Sequence, residues 1–343
     1  MRTPTFILIM TLIGAALYAA FHIVGNDYLF FAGYTVLQYI VLATAWNILG
    51  GYCGYVNFGS AGFFAIGVYT TVCFYTIGQS VEDVFPDFLV APMHLIFPLP
   101  LPLLMLVGGA VSGLVGLGMG YLTLRLRGVF FAIATLALAV VLETFITNWS
   151  FVGGSRGAYV IPPNEIPFFG PYIDFLFALM LILVIASLTI ARTIERSKLG
   201  VGFATIRDDE LAAEATGVPT LRLKLIATVV SGALFGMAGA PFPYYIGYVE
   251  PGSAFNLSYA VNSIAMPMIG GTTFWAGPMI GALLLSTVQQ LVTVTISSAV
   301  NLLITGILLI AFVILAPKGI IGLWQKWIGN PFKKSSGAKE VKS

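Results

Sequence analysis

The chain has 343 residues, 58% of them hydrophobic and 9% charged, with 16 Lys and Arg against 14 Asp and Glu and a formal charge of +2. Soluble domains carry about 25% charged residues, so a water-soluble fold is excluded, and so small an excess of positive charge gives no reason to expect nucleic acid as a partner. A spanning helix needs about 20 apolar residues, and the apolar stretches here are continuous, unlike the alternating segments of about ten residues in a membrane barrel. The expectation is an all-α polytopic membrane protein of about ten transmembrane helices.

In chain order, hydropathy places spans at 6–24, 31–49, 55–77, 98–121, 129–147, 172–192, 225–246, 257–270, 278–296 and 300–316. The first follows Arg2 and ends near Ala19-Ala20, as a cleaved leader would. The apolar run continues through Val24 and further spans follow at once, so it is read as a retained helix. The eighth is short, opening at Asn256 and closing at Gly270-Gly271, which fits a tilted, broken or re-entrant helix supported by its neighbours. Residues 1–332 form the transmembrane domain, and the polar, basic stretch 333–343 is a disordered tail.

Basic residues set the orientation. With the N-terminus inside, Arg2, Arg125, Arg127, Arg192, Arg196, Lys198, Arg207, Arg222, Lys224, Lys318, Lys326, Lys333, Lys334, Lys339 and Lys342 are cytoplasmic, and Arg156 alone is outside. Both termini are therefore expected in the cytoplasm. Asp27, Glu82, Asp83, Asp87, Glu165 and Glu250 fall on the outer side, in agreement.

Glycines recur four residues apart at Gly50/Gly54, Gly109/Gly113, Gly116/Gly120, Gly232/Gly236 and Gly277/Gly281, a spacing that lets helix backbones approach closely. Cys53 and Cys73 share one apolar stretch without metal-ligand spacing, and His22 and His94 stand far apart, so no metal is expected.

The connection from Thr193 to Lys224 is the most polar part of the chain. Asp208, Asp209 and Glu210 complement the positive end of a helix, Leu211 to Ala215 are helix formers, and Gly217 followed by Pro219 is a stop. Leu211, Ala215 and Val218 share one face of this short cytoplasmic helix, read over 205–218, and Glu210 and Glu214 form an acidic i,i+4 pair on another. From periodicity alone, docking on a soluble partner and lying on the protein's own surface are equal alternatives.

The stretch IRDDELAAEATGV resembles the coupling segment of branched-chain amino acid ABC-transporter permeases of the LivM/LivH type. LQYIVLATAWNILGGYCGYVNFGSAGFFAIGVYT, LRLRGVFFAIATLALAVVLE, FVGGSRGA and SIAMPMIGGTTFWAGPMIGALLL resemble the same family in order, chiefly its LivM branch. One departure is Gly54 to Ser60, GYVNFGS, where many relatives read closer to GQxSFGH. The resemblance implies a permease subunit of an inner-membrane importer for branched-chain or related amino acids, urea and amides being the alternative cargo. Its implied partners are two ATP-binding subunits carrying ATP and Mg, a second LivH-like permease and an external substrate-binding protein. By motif position, Arg207, Asp208, Glu210, Ala213, Glu214 and Gly217 become coupling candidates, joined by Leu211 and Ala215.

Candidates for the substrate path are Asn57, Phe58, Gly59 and Ser60, where small and polar residues interrupt an apolar span; a kinked packing site is the alternative. Glu143 near the outer end of the fifth span either lines the path or reaches headgroup water or Arg156. Gly153, Gly154 and Ser155, with Arg156, offer backbone donors to a carboxylate or form a plain outer turn. The chain has no GxxxxGK[ST] or HExxH pattern, so it is read as no enzyme and any ATP hydrolysis belongs to another chain. An ATP-independent carrier is the rival, but it commonly places paired charges in its membrane core, and here Glu143 and Asp174 stand near span ends.

Overall fold

A computed structural model describes residues 3–84, 97–163, 165–166 and 170–295, with single positions at 86, 90, 303, 306, 307, 310, 319, 320 and 322. His94, the tail 333–343 and most of the predicted span 300–316 lie outside the described residues. Among the described residues, eight helices are long and apolar enough to cross a membrane.

The long helices are α1 (Thr3–Val24), α2 (Asp27–Leu49), α3 (Ser60–Gln79), α5 (Leu101–Thr123), α6 (Val129–Thr147), α7 (Tyr172–Glu195), α10 (Thr220–Gly239) and α14 (Ala276–Thr295). Shorter ones are α4 (Val81–Val84), α8 (Lys198–Asp208), α9 (Glu210–Ala215), α11 (Phe242–Ile246), α12 (Pro251–Ala254) and α13 (Leu257–Gly270). Two small antiparallel pairs decorate the connections: β1 (Ala158–Tyr159) with β4 (Tyr248–Val249), and β2 (Glu165–Ile166) with β3 (Gly170–Pro171).

Several predicted boundaries move for identifiable reasons. The third span starts at Ser60, not 55, because the Asn57 side chain accepts the Gly59 amide and shapes 55–59 into an irregular lead-in. The seventh starts at Thr220, not 225, since Arg222 and Lys224 lowered its hydropathy without ending the helix. Its far end bends at Ala240-Pro241 into α11. The short span 257–270 is one continuous helix capped by the Asn256 side chain, which accepts the Ser258 amide.

The centre is a knot of α3, α5 and α10. The Ser112 hydroxyl of α5 lies 3.0 Å from the Phe63 carbonyl of α3 and 2.8 Å from the Gly232 carbonyl of α10. Interhelical hydrogen bonds in a bilayer are worth on the order of 0.6 kcal/mol, so backbone proximity must supply most of the hold. Gly67 supplies it, since a Cβ there would stand 2.0 Å from the Gly236 carbonyl oxygen. The glycine pairs at 109/113 and 232/236 thus pack inside one chain, against Met237 and Ala233 and against Phe63, Gly108 and Ser112 respectively. The α13–α14 turn repeats the device, Gly270 meeting Gly277 and Gly281 meeting Met266.

Around this knot α2 is buried almost throughout its second half, from Ile40 to Leu49. At the periphery α1 leans on α7, with Tyr18, Phe21, Phe30 and Phe177 forming an aromatic cluster. One stripe of α6, including Phe131, Thr135, Ala139 and Ile146, is buried, and Ala139 meets Gly62 of α3.

Candidate functional site

The polar connection between α7 and α10 folds as two helices at one end of the bundle. Ser197 caps α8 by accepting the Leu199 amide, and α8 buries Phe203 and Ile206. The backbone then becomes extended at Asp209, whose carboxylate accepts the Ala212 amide at 3.0 Å and starts α9. The acid-headed turn and the glycine stop are present: Gly217 takes φ +87°, and the Gly217 and Val218 amides close on the Glu214 and Ala213 carbonyls. A single helix over 205–218 is not; Asp208-Asp209 is a joint, because Asp209 serves as a cap and cannot also continue α8.

The predicted faces of α9 also differ. Leu211 is 64% exposed, Ala215 and Gly217 are exposed, Val218 is half-buried, and the buried residue is Ala213. Glu210 and Glu214 do not form an outward acidic pair. Glu210 is only 12% exposed at its side chain and accepts from the Lys224 ammonium at 2.6 Å and from the Tyr55 hydroxyl. Glu214 accepts from Arg127 at 3.0 Å and from the Thr220 hydroxyl at 2.9 Å. The Thr220 hydrogen bond, helped by Arg127, holds the Glu214 carboxyl below the usual carboxylate range, and the Glu214 bond in turn raises the Arg127 guanidinium. Burial, and then the Glu210 carboxylate, push the Tyr55 phenol up.

Arg207 faces Asp208 at 3.5 Å and reaches the Gly51 carbonyl at 3.4 Å, while its aliphatic stem covers Gly54. Arg207 and Glu210 therefore tie the two short helices to the 50–59 segment. Together these elements enclose a cavity of about 520 Å³ lined by Cys53, Tyr55, Phe58, Val129, Ile206 and Glu210, among others. Tyr55, Arg127, Thr220 and Lys224 were not among the sequence candidates. The signal for Lys224 was its place near the start of an apolar helix, where the helix dipole disfavours a cation and an acidic partner is needed.

The path candidates fall into two groups. Asn57 is buried; its side chain accepts the Gly59 amide at 2.8 Å and its carbonyl accepts from the Trp46 indole at 3.0 Å. Phe58 donates its amide to the Thr135 hydroxyl of α6 at 3.3 Å, and Gly59 lies against the Thr135 carbonyl. Ser60 faces Ser263 of α13 at 3.5 Å, and Asn47 donates to the Thr272 carbonyl at 3.0 Å. The stretches 37–70 and 263–285 thus meet at this seam.

At the other end, Glu143 is half-buried on α6, and no ion pair joins it to Arg156 among the described residues. The 153–155 turn packs below it, with Gly154 against the Thr147 carbonyl. Four amides here are already used: Gly153 donates to Ser150, Gly154 to Trp149, Arg156 to Gly153 and Gly157 to Gly154. The backbone donors expected for a carboxylate at Gly153, Gly154 and Arg156 are therefore spent within the turn itself. Tyr69 of α3 buries its hydroxyl, which has no hydrogen-bond partner among the described residues.

Comparison with known proteins follows the same lines. A family model described as "Branched-chain amino acid transport system / permease component" matches residues 28–313. The high-affinity branched-chain amino acid transport system permease protein LivM of Salmonella typhimurium is 28% identical over 311 residues, covering 82% of this chain and 67% of that one. LivM of Escherichia coli is 27% identical over the same shares. A probable branched-chain amino acid transport permease protein LivH of Methanocaldococcus jannaschii is 26% identical over 66% of this chain and 76% of that one. No solved structure matches the chain. The likeness is closer to LivM than to LivH, and what the relatives share is a permease role, not an enzymatic one. A multi-pass bundle with this much of its length inside one family match belongs to the permease-component family of branched-chain amino acid transport systems.

Proposed function

We propose that the chain is one permease subunit of an ATP-driven importer of branched-chain or related amino acids in a bacterial inner membrane, with both termini cytoplasmic. The α8–α9 element then lies in the cytoplasm and seats an ATP-binding subunit, which holds ATP and Mg. A second, LivH-like permease completes the membrane part, and an external binding protein delivers the substrate to the outer loops.

The observation that carries this reading is the two-sidedness of α9. Its inner side is held by Glu210 and Glu214, while Leu211 on its outer side is 64% exposed at the basic end of the bundle. A short helix fixed on one side and bare on the other is suited to docking in a groove of a soluble partner. The relatives supply the substrate class, since LivM and LivH are named for branched-chain amino acid transport. The seam of Asn57, Phe58, Gly59 and Ser60 against Ser263 is the inner part of the path, and Glu143 stands near its outer mouth.

Leu211 is 64% exposed, so Leu211→Arg tests the interface without unpicking the fold. In the reconstituted transporter it is expected to release the ATPase or to uncouple ATP hydrolysis from leucine uptake. Full coupling in that variant overturns the reading. So does labelling of a cysteine at position 211 by a membrane-impermeant thiol reagent added to intact cells.

A further inference from the structure

Lys224 is buried to 3% side-chain exposure, and its three ammonium hydrogens meet three acceptors from three separate parts of the chain. These are Glu210 Oε1 of α9 at 2.6 Å, the Tyr55 hydroxyl at 3.1 Å, and the Leu124 carbonyl just beyond α5 at 3.0 Å. The Tyr55 hydroxyl donates in turn to Glu210 Oε2, which closes a triangle. The Tyr55 ring lies 4.7 Å from the ammonium and stands edge-on to Phe131 of α6 at 5.0 Å. Arg127 reaches Glu210 Oε1, the oxygen that accepts from Lys224, at 3.6 Å from the solvent side. Tyr55 is buried as well, so neither it nor Lys224 presents a surface to a partner.

We propose that Lys224 and Tyr55 are positioning residues that carry movement of α9 into the 53–59 segment and α10. The proposal rests on the reading of α8–α9 as the ATPase seat. A buried ammonium whose counter-charge is withdrawn is strongly disfavoured. When Glu210 moves, Lys224 must follow or exchange partners, and either outcome displaces Tyr55. Tyr55 is followed directly by the path candidates Asn57 to Ser60, and Ser60 faces Ser263 across the seam. Gly54, just before Tyr55, packs on Arg207 with backbone and side-chain atoms at 3.0–3.3 Å from a Cβ position, so the segment is gripped from both sides of the Asp209 joint.

The test uses the whole transporter in nanodiscs, with Cys53→Ala and Cys73→Ala and spin labels at Val56 and Leu114, which are 40% and 68% exposed. The 56–114 distance is measured before and after trapping with Mg-ATP and vanadate. Trapping is expected to shift that distance in the parent protein. Lys224→Met abolishes the shift while the ATPase still co-purifies. A merely structural role would lose assembly or ATPase binding along with the shift. If Lys224→Met does not assemble, Tyr55→Phe, which keeps the ring against Phe131, decides, and is expected to lose at least half of the shift. An unchanged shift in either assembled variant, or no shift in the parent, overturns the relay. Leu211→Arg separates the two ideas: an ATPase that stays both fully bound and fully coupled there overturns the seat on α9, whatever the relay variants show.

Discussion

Gly67→Ala probes the central knot most directly. The added methyl would sit 2.0 Å from the Gly236 carbonyl oxygen and 2.7 Å from both its carbonyl carbon and its Cα, where ordinary contact begins at 3.4 Å. All three obstacles are backbone, so no rotamer relieves them and α3 and α10 must part by about an ångström. Overpacking of this kind costs about 1–3 kcal/mol. Separation also stretches the Ser112 bonds to Phe63 and Gly232, each worth about 0.6 kcal/mol. The sum, about 2–4 kcal/mol, corresponds to a fall in apparent melting temperature on the order of 3–6 °C. Thermal ramps of the detergent-solubilised protein, read by the loss of monodisperse material on size exclusion, would measure it. Gly118→Ala on α5 is the internal control: nothing stands within 4 Å of its added methyl, and the helix gains up to about 1 kcal/mol of propensity. Equal melting points for the two variants would refute the tight-seam argument.

Two further outcomes concern α9. Asp209→Ala removes the cap that accepts the Ala212 amide, costing about 1 kcal/mol, and should speed hydrogen exchange of amides 210–215 about fivefold, as read by mass spectrometry. The docking of Glu214 should depend on pH. Because its folded-state carboxyl is held below the ordinary 4.5, its stabilisation is complete above that value and is lost as pH falls through the depressed one. Exchange at residues 212–216 should accordingly be flat from neutral pH down to about 5, once corrected for intrinsic rates, and rise only under stronger acid.

Much of the bundle was legible because hydropathy reports what the bilayer demands. The span 129–147 and the short helix 257–270 have the bounds read from the sequence. Where the reading slipped, a side chain was doing something hydropathy cannot express. Asp208, Asp209 and Glu210 were correctly an acidic helix start, but a run of three acids does not say which is the cap, and Asp209 took the role by leaving helical conformation. Glu210 and Glu214 were paired by their spacing, yet each turned to a cation outside the helix, Lys224 14 positions on and Arg127 87 positions back. Tyr55 was invisible because its significance lies in a hydroxyl meeting a carboxylate 155 positions later. The glycine spacing, by contrast, promised close backbone approach on α5, α10 and α14, where it occurs, but not Gly67 of α3, which stands in no such pair.

The α3–α5–α10 knot has a mechanical corollary. Contacts made by peptide atoms have no torsions to absorb a push, so α10 behaves as a stiff lever of about 30 Å, the length of its 20 residues. Turning such a rod by ten degrees about one end sweeps the other through about 5 Å, close to the rise of one helical turn. A small tilt imposed near Lys224 would therefore arrive undiminished at the opposite face, where Ala240 and Pro241 bend the chain into α11.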